Sequence, residues 1–586
     1  MVKKSWFPYA GLFAAAFAVY AGSLHAPFIF DDVHTIVTNE GLRDLGNLKK
    51  VFTSEYAGRP FLFFTFALNY AAGYLDPFGY HLVNVILHWG TSCLVFLILA
   101  EILAQEGIDD RLWAALGASL FALHPMAVEA VAYTASRSDG LSTFLYLLAF
   151  YLLIRCGFRF SLRFAVALVA FALALLTKET AVTFPALAVA FALAYGKADR
   201  DSVRPVAALW LVLPLYFLFR ALALGHPLEE GVGREVSSKE YFLTQLTVVP
   251  FQYIPRLFVP VRQILDADLN LVDTILNPAT LLGGAAILAL LAFAFVRFRA
   301  SRLYAFSILW FFGALSITSS FYPIFDAYVE RRLYLALPAF CLAAAYSLYL
   351  LETKASLPRK KILAVAAAVL IVFGWLARER SNLFADPILV MEDNISKTIS
   401  NPRLHIGLYR EYLKAGMEGK AEERLLFAAK AFPTSPLVQL EYCRLLASRG
   451  EFDKLERILA DVTPVRPTEF AEYYDFKGVI DGQKGNYDAA MRYFRMALTT
   501  DPRNVDTRAN VIVLLQITGK NDEALRYARQ AVKDSPREAD LHYQLGVLLL
   551  GKDANAAQDE FRTVLKLQPS HRGGRKMMET PGGIPG

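Results

Sequence analysis

The sequence predicts an all-α fold in two parts: a polytopic membrane bundle of about eleven transmembrane helices, followed by an α-solenoid of tetratricopeptide repeats. Three observations lead to this prediction. The chain of 586 residues is 55% hydrophobic, which is too apolar for a soluble protein of this length. Apolar runs recur through the first two thirds of the chain, and a period of about 34 residues marks the last third.

The apolar runs determine the transmembrane prediction. An α-helix needs roughly 20 apolar residues to cross the hydrocarbon core of a bilayer, and eleven runs come near that length. They lie at 6–24, 81–104, 112–124, 138–154, 164–177, 180–195, 205–222, 279–296, 303–320, 333–351 and 361–377. A twelfth stretch, 241–262, is broken by three prolines, and we expect it to be interfacial or re-entrant.

The distribution of Lys and Arg indicates the orientation of this bundle. If the N-terminus is cytoplasmic, every short loop on the inner side is basic, as the positive-inside rule requires. The repeats then lie on the exoplasmic side. The formal charge of +6 is explained by these loops, so we do not expect the protein to bind nucleic acid.

Ionisable residues within and beside the apolar runs collect on one side of the predicted membrane. Asp31 and Asp32 follow the first run, where negative charge is costly unless a site needs it. The others on that side are Arg59, His124, Glu129, Arg137, Asp139, Lys178, Glu179, Asp326, Glu330, Arg331 and Arg332. Such charges either face a wet cavity that serves a function, or they form ion pairs and reach to the surface without one.

The last third of the chain has the spacing of tetratricopeptide repeats. Gly416, Gly450, Gly485 and Gly519 recur at nearly equal intervals, and prolines recur with the same period. The sequence therefore predicts this organisation: a membrane domain at 1–380 with its first exoplasmic loop at 25–80, a linker at 381–401, about five repeats at 402–570, and a disordered tail at 571–586.

Several short motifs occur in a distinctive order along the membrane domain. They are Phe30-Asp31-Asp32 with Asn39, Arg59-Pro60, Leu68-Asn69-Tyr70, Gly79-Tyr80-His81-Leu82-Val83-Asn84 with His88, Ala122-Leu123-His124-Pro125, Glu129-Ala130-Val131-Ala132-Tyr133, Ser136-Arg137-Ser138-Asp139, Lys178-Glu179-Thr180 and Glu330-Arg331-Arg332-Leu333-Tyr334-Leu335. In these motifs the chain resembles polytopic C-type (GT-C) glycosyltransferases. It is most similar to the transmembrane and tetratricopeptide-repeat O-mannosyltransferase family with its bacterial relatives.

The resemblance implies a transferase that takes a sugar from a polyprenyl-phosphate carrier and gives it to hydroxyl groups of exported proteins. It also implies an integral membrane protein of the bacterial inner (plasma) membrane, with the repeats in the periplasm holding the acceptor polypeptide. In the family pattern an acidic residue just after the first helix acts at the reaction centre. That position corresponds to Asp31 or Asp32 in this sequence.

The chemistry of this reaction gives the charged residues their expected roles. A carboxylate can take the proton of an attacking hydroxyl, so we expect Asp31 to be the general base and Asp32 to orient the acceptor or bind a cation. The sequence also allows the reverse assignment. The departing phosphate needs fixed cations, for which Lys178, Arg331 and Arg137 come first, then Arg59 and Arg332. Supporting roles fall to Glu129, Asp139, Glu179, Glu330 and His124.

No certain cofactor follows from the sequence, although a pair of carboxylates also admits a divalent cation such as Mg²⁺ or Mn²⁺ at Asp31 and Asp32. His81, His88 and His124 lack the spacing of zinc ligands. Two other functions fit the same pattern. The sugar acceptor could be a lipid or a surface glycan, with the repeats recruiting partner proteins, or the protein could be a membrane-anchored scaffold without enzymatic activity.

Overall fold

A computed structural model describes residues 6–47, 58–196, 200–224, 236–324, 326–568 and 571–579. The chain divides into two compact units, Met1–Asn401 and Pro402–Gly586. All the regular structure in the described residues is helical, which confirms the predicted fold class.

The first unit consists of α-helices joined by turns and by longer irregular segments such as 259–277. Those in its described part are Phe7–Tyr20, Pro60–Gly73, Pro77–Gln105, Arg111–Leu123, Val128–Ala132, Arg137–Arg155, Leu162–Leu175, Phe184–Ala194, Arg200–Leu224, Ser238–Val248, Ile254–Phe258, Pro278–Val296, Arg302–Leu315, Leu333–Thr353, Arg359–Leu383 and Pro387–Lys397. Many begin at a proline, because the missing N–H group of proline costs nothing in the first helical turn. Asp76, Asp110 and Asn277 each cap the helix that follows them by accepting a backbone N–H bond.

Each of the eleven predicted runs corresponds to a helix of this unit. Within the described residues, length and composition alone would allow five of them to cross a membrane: Pro77–Gln105, Val203–Ala223, Pro278–Val296, Glu330–Thr353 and Arg359–Leu383. A sixth crossing exists if the bent pair Arg111–Leu123 and Pro125–Ala132, which meet at 54°, is one span. The total of eleven spans stays a prediction.

The stretch 241–262, expected to be interfacial or re-entrant, forms a helix that is interrupted near its prolines. Helix Ser238–Val248 continues through a single wide turn at Val249–Tyr253 into the short helix Ile254–Phe258. This stretch is not among the helices that meet the criteria for a span.

The described part of the loop 25–80, which the sequence predicts to be exoplasmic, is packed onto the bundle by apolar residues. Helix Pro60–Gly73 buries Leu62 and Phe66 against Ile36 and Tyr80. Residues 40–47 of the same loop form two tight turns, and residues 48–57 lie outside the described residues. This apolar contact holds the segment that carries Asp31 and Asp32.

The predicted linker at 381–401 is wrong, because this segment is helical and belongs to the first unit. Helix Arg359–Leu383 runs into it, and helix Pro387–Lys397 fills most of the remainder. Asn394 is fully buried and its Oδ1 accepts a hydrogen bond from Leu265 N at 2.6 Å. A polar stretch therefore looks like a linker in the sequence although its side chains serve as internal contacts.

The second unit contains five helix pairs, as the repeat period predicts. The pairs are Pro402–Lys414 with Glu418–Ala431, Pro436–Ser448 with Phe452–Ala460, Pro467–Gln483 with Tyr487–Thr500, Val505–Ile517 with Asn521–Asp534, and Ala539–Leu549 with Ala554–Leu567. Gly485 and Gly519 connect the two helices of their pairs with φ of 80° and 75°. Residues with a Cβ atom rarely adopt this backbone conformation, which explains the spacing of the glycines.

The predicted disordered tail at 571–586 is wrong for its first part, since Arg572–Glu579 forms a helix. Met577 of this helix packs against the apolar cluster that contains Leu545 and Phe561 of the last pair. A short capping helix of this kind covers the end of the stacked repeats. The remaining residues of the predicted tail lie outside the described residues.

The close packing of helices Ser238–Val248 and Pro278–Val296 generates a test of the fold. A Cβ atom added to Gly283 would lie 1.9 Å from the Leu246 carbonyl oxygen, whereas one on Gly284 would meet only a Leu246 methyl group at 3.7 Å. We expect Gly283→Ala to force the helices apart and to cost about 1–3 kcal/mol. Thermal unfolding of the detergent-solubilised protein should show a lower midpoint for Gly283→Ala and little change for Gly284→Ala. Equal midpoints would contradict this packing.

Candidate active site

A cavity of about 850 Å³ lies in the first unit, among the elements that carry the charged motifs. Of the predicted site residues, those lining it are Asp31, Arg59, Asp139, Lys178, Glu179, Arg331 and Arg332. Those that do not line it are Asp32, Glu129, Arg137, Glu330 and His124. The structure therefore brings together a carboxylate from the first loop and cations from distant parts of the sequence.

The turn before the short wide-turn helix Val33–Val37 gives the two aspartates different surroundings. Phe30 has a φ of 46°, a left-handed conformation that is unfavourable for a residue with a side chain. The Asp32 carboxylate stabilises this turn by accepting hydrogen bonds from Ile29 N at 3.1 Å and Ala135 N at 2.6 Å. Asp31 is exposed and lines the cavity, and its carboxylate accepts no hydrogen bond in the described part of the chain.

Burial and hydrogen bonding decide which of the two aspartates a bound molecule can reach. Burial raises the pKa of the Asp32 carboxyl to about 8, against the effect of its two backbone hydrogen bonds. This acidity alone would suit a general base near neutral pH. Asp32 is only 1% exposed, however, and both of its oxygens are already occupied. Asp31 is therefore the aspartate that a molecule in the cavity can reach.

The same arrangement bears on the divalent cation considered for Asp31 and Asp32. A cation held by both residues would need carboxylate oxygens that are free to turn toward it. The Asp32 oxygens instead each accept a backbone N–H group, one from Ile29 in the same turn and one from Ala135 in a distant segment. The donor set of the two aspartates does not fit a shared cation, and the described residues contain no other cluster of three His, Cys, Asp or Glu suited to a metal.

One ion-pair network connects Lys178 with Arg331 across the cavity wall. Lys178 Nζ lies 2.6 Å from Asp139 Oδ1, and Asp139 Oδ2 lies 3.7 Å from Arg331 Nε. Glu129 accepts hydrogen bonds from the Arg331 guanidinium and, at 3.1 Å, from Arg331 N. Buried charges are costly unless they are paired, so this network fixes both cations at the cavity.

A second network contains Glu179 and two arginines. Arg59 Nε and NH2 lie 3.3 and 3.2 Å from the Glu179 carboxylate oxygens, and Arg220 NH1 lies 3.4 Å from Glu179 Oε1. Arg220 also lines the cavity and is only 2% exposed. Arg220 is not among the residues predicted from the sequence, although a single arginine within the apolar run 205–222 is the kind of charge that marks a functional position in a membrane helix.

Arg137 lies away from the cavity, although it was among the first three residues predicted to bind the phosphate. It is fully buried and bonds to neutral groups: Asn84 Oδ1 at 2.8 Å, Asn69 Oδ1 at 2.7 Å and Tyr80 O at 2.9 Å. Its guanidinium carbon also lies 4.5 Å from the centre of the Phe66 ring. This geometry shows Arg137 joining the first loop to the bundle.

Three other predicted residues also make structural contacts. Arg332 lines the cavity, but its guanidinium donates to Tyr241 Oη and to backbone carbonyls of its own loop. Glu330 Oε1 accepts a hydrogen bond from Ile264 N at 2.9 Å. The Nδ1 atom of His124 accepts a hydrogen bond from Met126 N, and its Nε2 atom contacts Leu257 O. Sequence spacing could not distinguish these contacts from direct roles in a site.

Fold and site together define a polytopic helical membrane protein with a charged cavity and a tetratricopeptide-repeat unit. The family model described as "Tetratricopeptide repeat" matches residues 471–504. Protein O-mannosyl-transferase Tmtc1 of Drosophila melanogaster is 38% identical over 191 residues, which are 30% of this chain and 21% of that protein. Protein O-mannosyl-transferase TMTC1 of Homo sapiens is 37% identical over 155 residues, 24% of this chain and 17% of that protein.

A longer match connects this chain with a protein O-mannosyl-transferase of Caenorhabditis elegans. The two are 26% identical over 442 residues, which cover 71% of this chain and 61% of that protein. The chain thus spans less than two thirds of each of these relatives. These matches confirm the resemblance seen in the motifs: the chain is similar in sequence to the transmembrane and tetratricopeptide-repeat O-mannosyltransferases.

Solved structures resemble the chain only distantly. YrrB, described as a TPR protein with an unusual peptide-binding site, is 14% identical with a TM-score of 0.21, and the match covers 32% of this chain and 98% of that chain. Yeast Tom70 is 12% identical with a TM-score of 0.26, and the match covers 94% of each chain. TM-scores this low support no argument about the present protein.

The contacts of Arg137 generate a prediction that separates stability from ligand binding. Arg137→Gln should remove most of its hydrogen bonds and leave buried amide and carbonyl groups unpaired, at a cost of roughly 3 kcal/mol. We expect a lower thermal midpoint with unchanged affinity, in the folded fraction, for polyprenyl phosphate, the ligand that the sequence predicts. Arg159→Gln, at an exposed position, is the control and should leave both quantities unchanged. Weaker binding at an unchanged thermal midpoint would contradict this structural role and would indicate that Arg137 contacts the phosphate.

Proposed function

We propose that this protein is a membrane glycosyltransferase that moves a sugar from a polyprenyl-phosphate carrier to Ser or Thr hydroxyl groups of exported proteins. The observation that carries the proposal is a single cavity lined by the exposed Asp31 carboxylate and by Lys178 and Arg331. A base and fixed cations are the groups that this transfer requires. The names of the relatives, protein O-mannosyl-transferases, support the same reaction class.

Asp31 acts as the general base in this proposal. A hydroxyl group is a weak nucleophile at neutral pH, and a carboxylate within hydrogen-bond reach takes its proton as the new bond forms. The acceptor oxygen bonds to the anomeric carbon while the bond from that carbon to the phosphate oxygen breaks. The electron pair of the broken bond leaves with the lipid phosphate, and direct attack inverts the anomeric configuration.

Lys178 and Arg331 stabilise the phosphate as it gains negative charge, with Arg59 as a further cation at the cavity. Cations fixed in place before the reaction stabilise a developing charge more effectively than mobile ones, because they need not reorganise. Asp139 and Glu129 keep Lys178 and Arg331 in position through the ion pairs described above. Arg332 contributes less to phosphate binding, because its guanidinium donates hydrogen bonds to backbone carbonyls of its own loop.

The proposed location is the inner (plasma) membrane of a bacterium, with the N-terminus in the cytoplasm. The apolar helices of the first unit support a membrane location, and the basic loops support this orientation. The cavity and the repeats then lie on the exoplasmic side, where exported proteins are accessible.

The repeats bind the acceptor polypeptide in this proposal. A row of charged residues joins the first helices of successive pairs: Arg410 NH2 lies 2.6 Å from Glu441 Oε2, and Arg444 NH2 lies 3.2 Å from Glu472 Oε2. Arg444 also forms an ion pair with Asp506. Surfaces formed by stacked repeats commonly bind extended polypeptide, and this row supplies polar groups for such contacts.

The two aspartates give the most direct test of the proposed reaction. Asp31→Asn should lower kcat for sugar transfer by about 100-fold or more, because the amide cannot take the proton. Asp32→Asn should mainly lower the thermal midpoint, because one acceptor of the turn is lost. Transfer assays with a lipid-linked sugar and a Ser/Thr peptide, combined with thermal unfolding, measure both effects. Undiminished transfer by Asp31→Asn would rule out its role as base.

Arg444 provides a test of the repeats in the intact protein. Arg444→Gln should lower transfer to a protein acceptor at least about fivefold, the effect of losing ~1 kcal/mol of binding free energy, with transfer to a short peptide unchanged. The control is Arg562→Gln, because Arg562 is exposed and its ion pair is with Asp559 on its own helix. Unchanged transfer to the protein acceptor would contradict acceptor binding at this face, and a lipid or glycan acceptor would then be favoured.

A further inference from the structure

Tyr133 lies at the cavity between the two halves of the proposed site. It follows the short helix Val128–Ala132 and leaves it in an extended conformation, with φ of −90° and ψ of 118°. The side chain is only 3% exposed, yet the residue lines the cavity. A buried phenol at this position is held by its surroundings and is available to a molecule bound beside it.

The phenol contacts both the turn that carries the base and one of the cations. Tyr133 Oη accepts a hydrogen bond from Asp31 N at 2.8 Å. The guanidinium carbon of Arg331 lies 5.9 Å from the centre of the Tyr133 ring, within the range of a cation–π contact. Tyr133 thus connects Asp31 with Arg331.

The hydroxyl group of Tyr133 still has a proton to donate. In the part of the chain that the structure describes, this hydroxyl makes one hydrogen bond, in which it is the acceptor. A buried hydroxyl group that leaves its donor unused loses free energy unless a bound molecule accepts the bond. Burial, reinforced by the neighbouring Asp31 and Asp32 carboxylates, also raises the pKa of the Tyr133 phenol well above its ordinary value. The phenol therefore keeps its proton at neutral pH.

We propose that Tyr133 donates a hydrogen bond to a phosphate oxygen of the lipid-linked sugar, beside the Arg331 guanidinium. This inference rests on the proposed glycosyltransferase function and adds a neutral donor to the cations of the site. The proton stays on the phenol throughout. The bond strengthens as the phosphate takes the electron pair from the broken sugar–phosphate bond, so Tyr133 stabilises the leaving group in the transition state.

A phosphate is the acceptor that best fits these surroundings. The Arg331 guanidinium lies 5.9 Å from the centre of the Tyr133 ring and would attract an anion to this part of the cavity. Hydrogen bonds to charged oxygens are also stronger than those to neutral sugar hydroxyls. The contact with Asp31 N also holds the backbone of the proposed base next to the phenol.

The first test measures binding of polyprenyl phosphate to the full-length protein in nanodiscs, without any sugar. Tyr133→Phe keeps the ring under Arg331 but removes the hydroxyl donor, and we expect roughly 10- to 100-fold weaker binding. Binding of uncharged polyprenol should not change. Tyr304→Phe is the matched control, because its hydroxyl bonds to Ser347 Oγ and the residue does not line the cavity. Binding within twofold of wild type for Tyr133→Phe would overturn the proposal.

A second variant separates donation to phosphate from support of the Asp31 backbone. Fluorinated tyrosine introduced at position 133 is a stronger hydrogen-bond donor and a weaker acceptor than tyrosine. We expect it to bind polyprenyl phosphate at least as tightly as the wild type does. Weaker binding would show that the acceptor contact with Asp31 N is the important one, which would overturn the proposed donation.

The two proposals can fail separately. If polyprenyl phosphate binding depends on Tyr133 but no sugar is transferred to any acceptor, the phosphate contact stands and the proposed function is wrong. If sugar transfer depends on Asp31 but polyprenyl phosphate binding is indifferent to Tyr133→Phe, the function stands and the Tyr133 proposal is wrong. A wild-type protein that does not bind polyprenyl phosphate would contradict the Tyr133 proposal and the donor assignment together.

Discussion

Lys178 and Glu179 are adjacent in the sequence and form ion pairs in two directions, Lys178 with Asp139 and Glu179 with Arg59. Their partners come from distant segments, because Asp139 lies on helix Arg137–Arg155 and Arg59 precedes helix Pro60–Gly73. Charges inside an apolar bundle must be paired or face water. These pairs therefore determine where the first loop and the helices can lie around the cavity, and the chemistry of the site depends on them.

The fold was largely predictable because its signals are local. The lengths of the apolar runs correctly predicted a helix at each expected position of the first unit. The spacing of the glycines correctly predicted the helix pairs of the second unit. The errors fell on polar segments. The segments around Asn394 and Met577 look like a linker and a tail in the sequence, yet Asn394 bonds to the distant Leu265 and Met577 packs onto the last helix pair. Hydropathy cannot show such partners.

The site was predictable in its general position but not in the role of each residue. The topology predicted from the sequence puts Asp31, Lys178 and Arg331 on one side of the membrane, and in the structure all three line one cavity. The distinction between Asp31 and Asp32 depends on the left-handed turn at Phe30, which side-chain type does not reveal. Arg137 and Arg331 also look alike in the sequence, although one is bonded to neutral buried groups and the other faces the cavity.

The central claim is that one cavity holds the acceptor hydroxyl at Asp31 and the lipid phosphate at Lys178 and Arg331. The most direct test is a structure of the full-length protein with a non-transferable lipid-linked sugar and an acceptor peptide bound. We expect the phosphate oxygens within about 4 Å of the Lys178 and Arg331 nitrogens, and the acceptor hydroxyl within about 3 Å of an Asp31 oxygen. A phosphate bound outside this cavity, or an acceptor hydroxyl remote from Asp31, would contradict the claim.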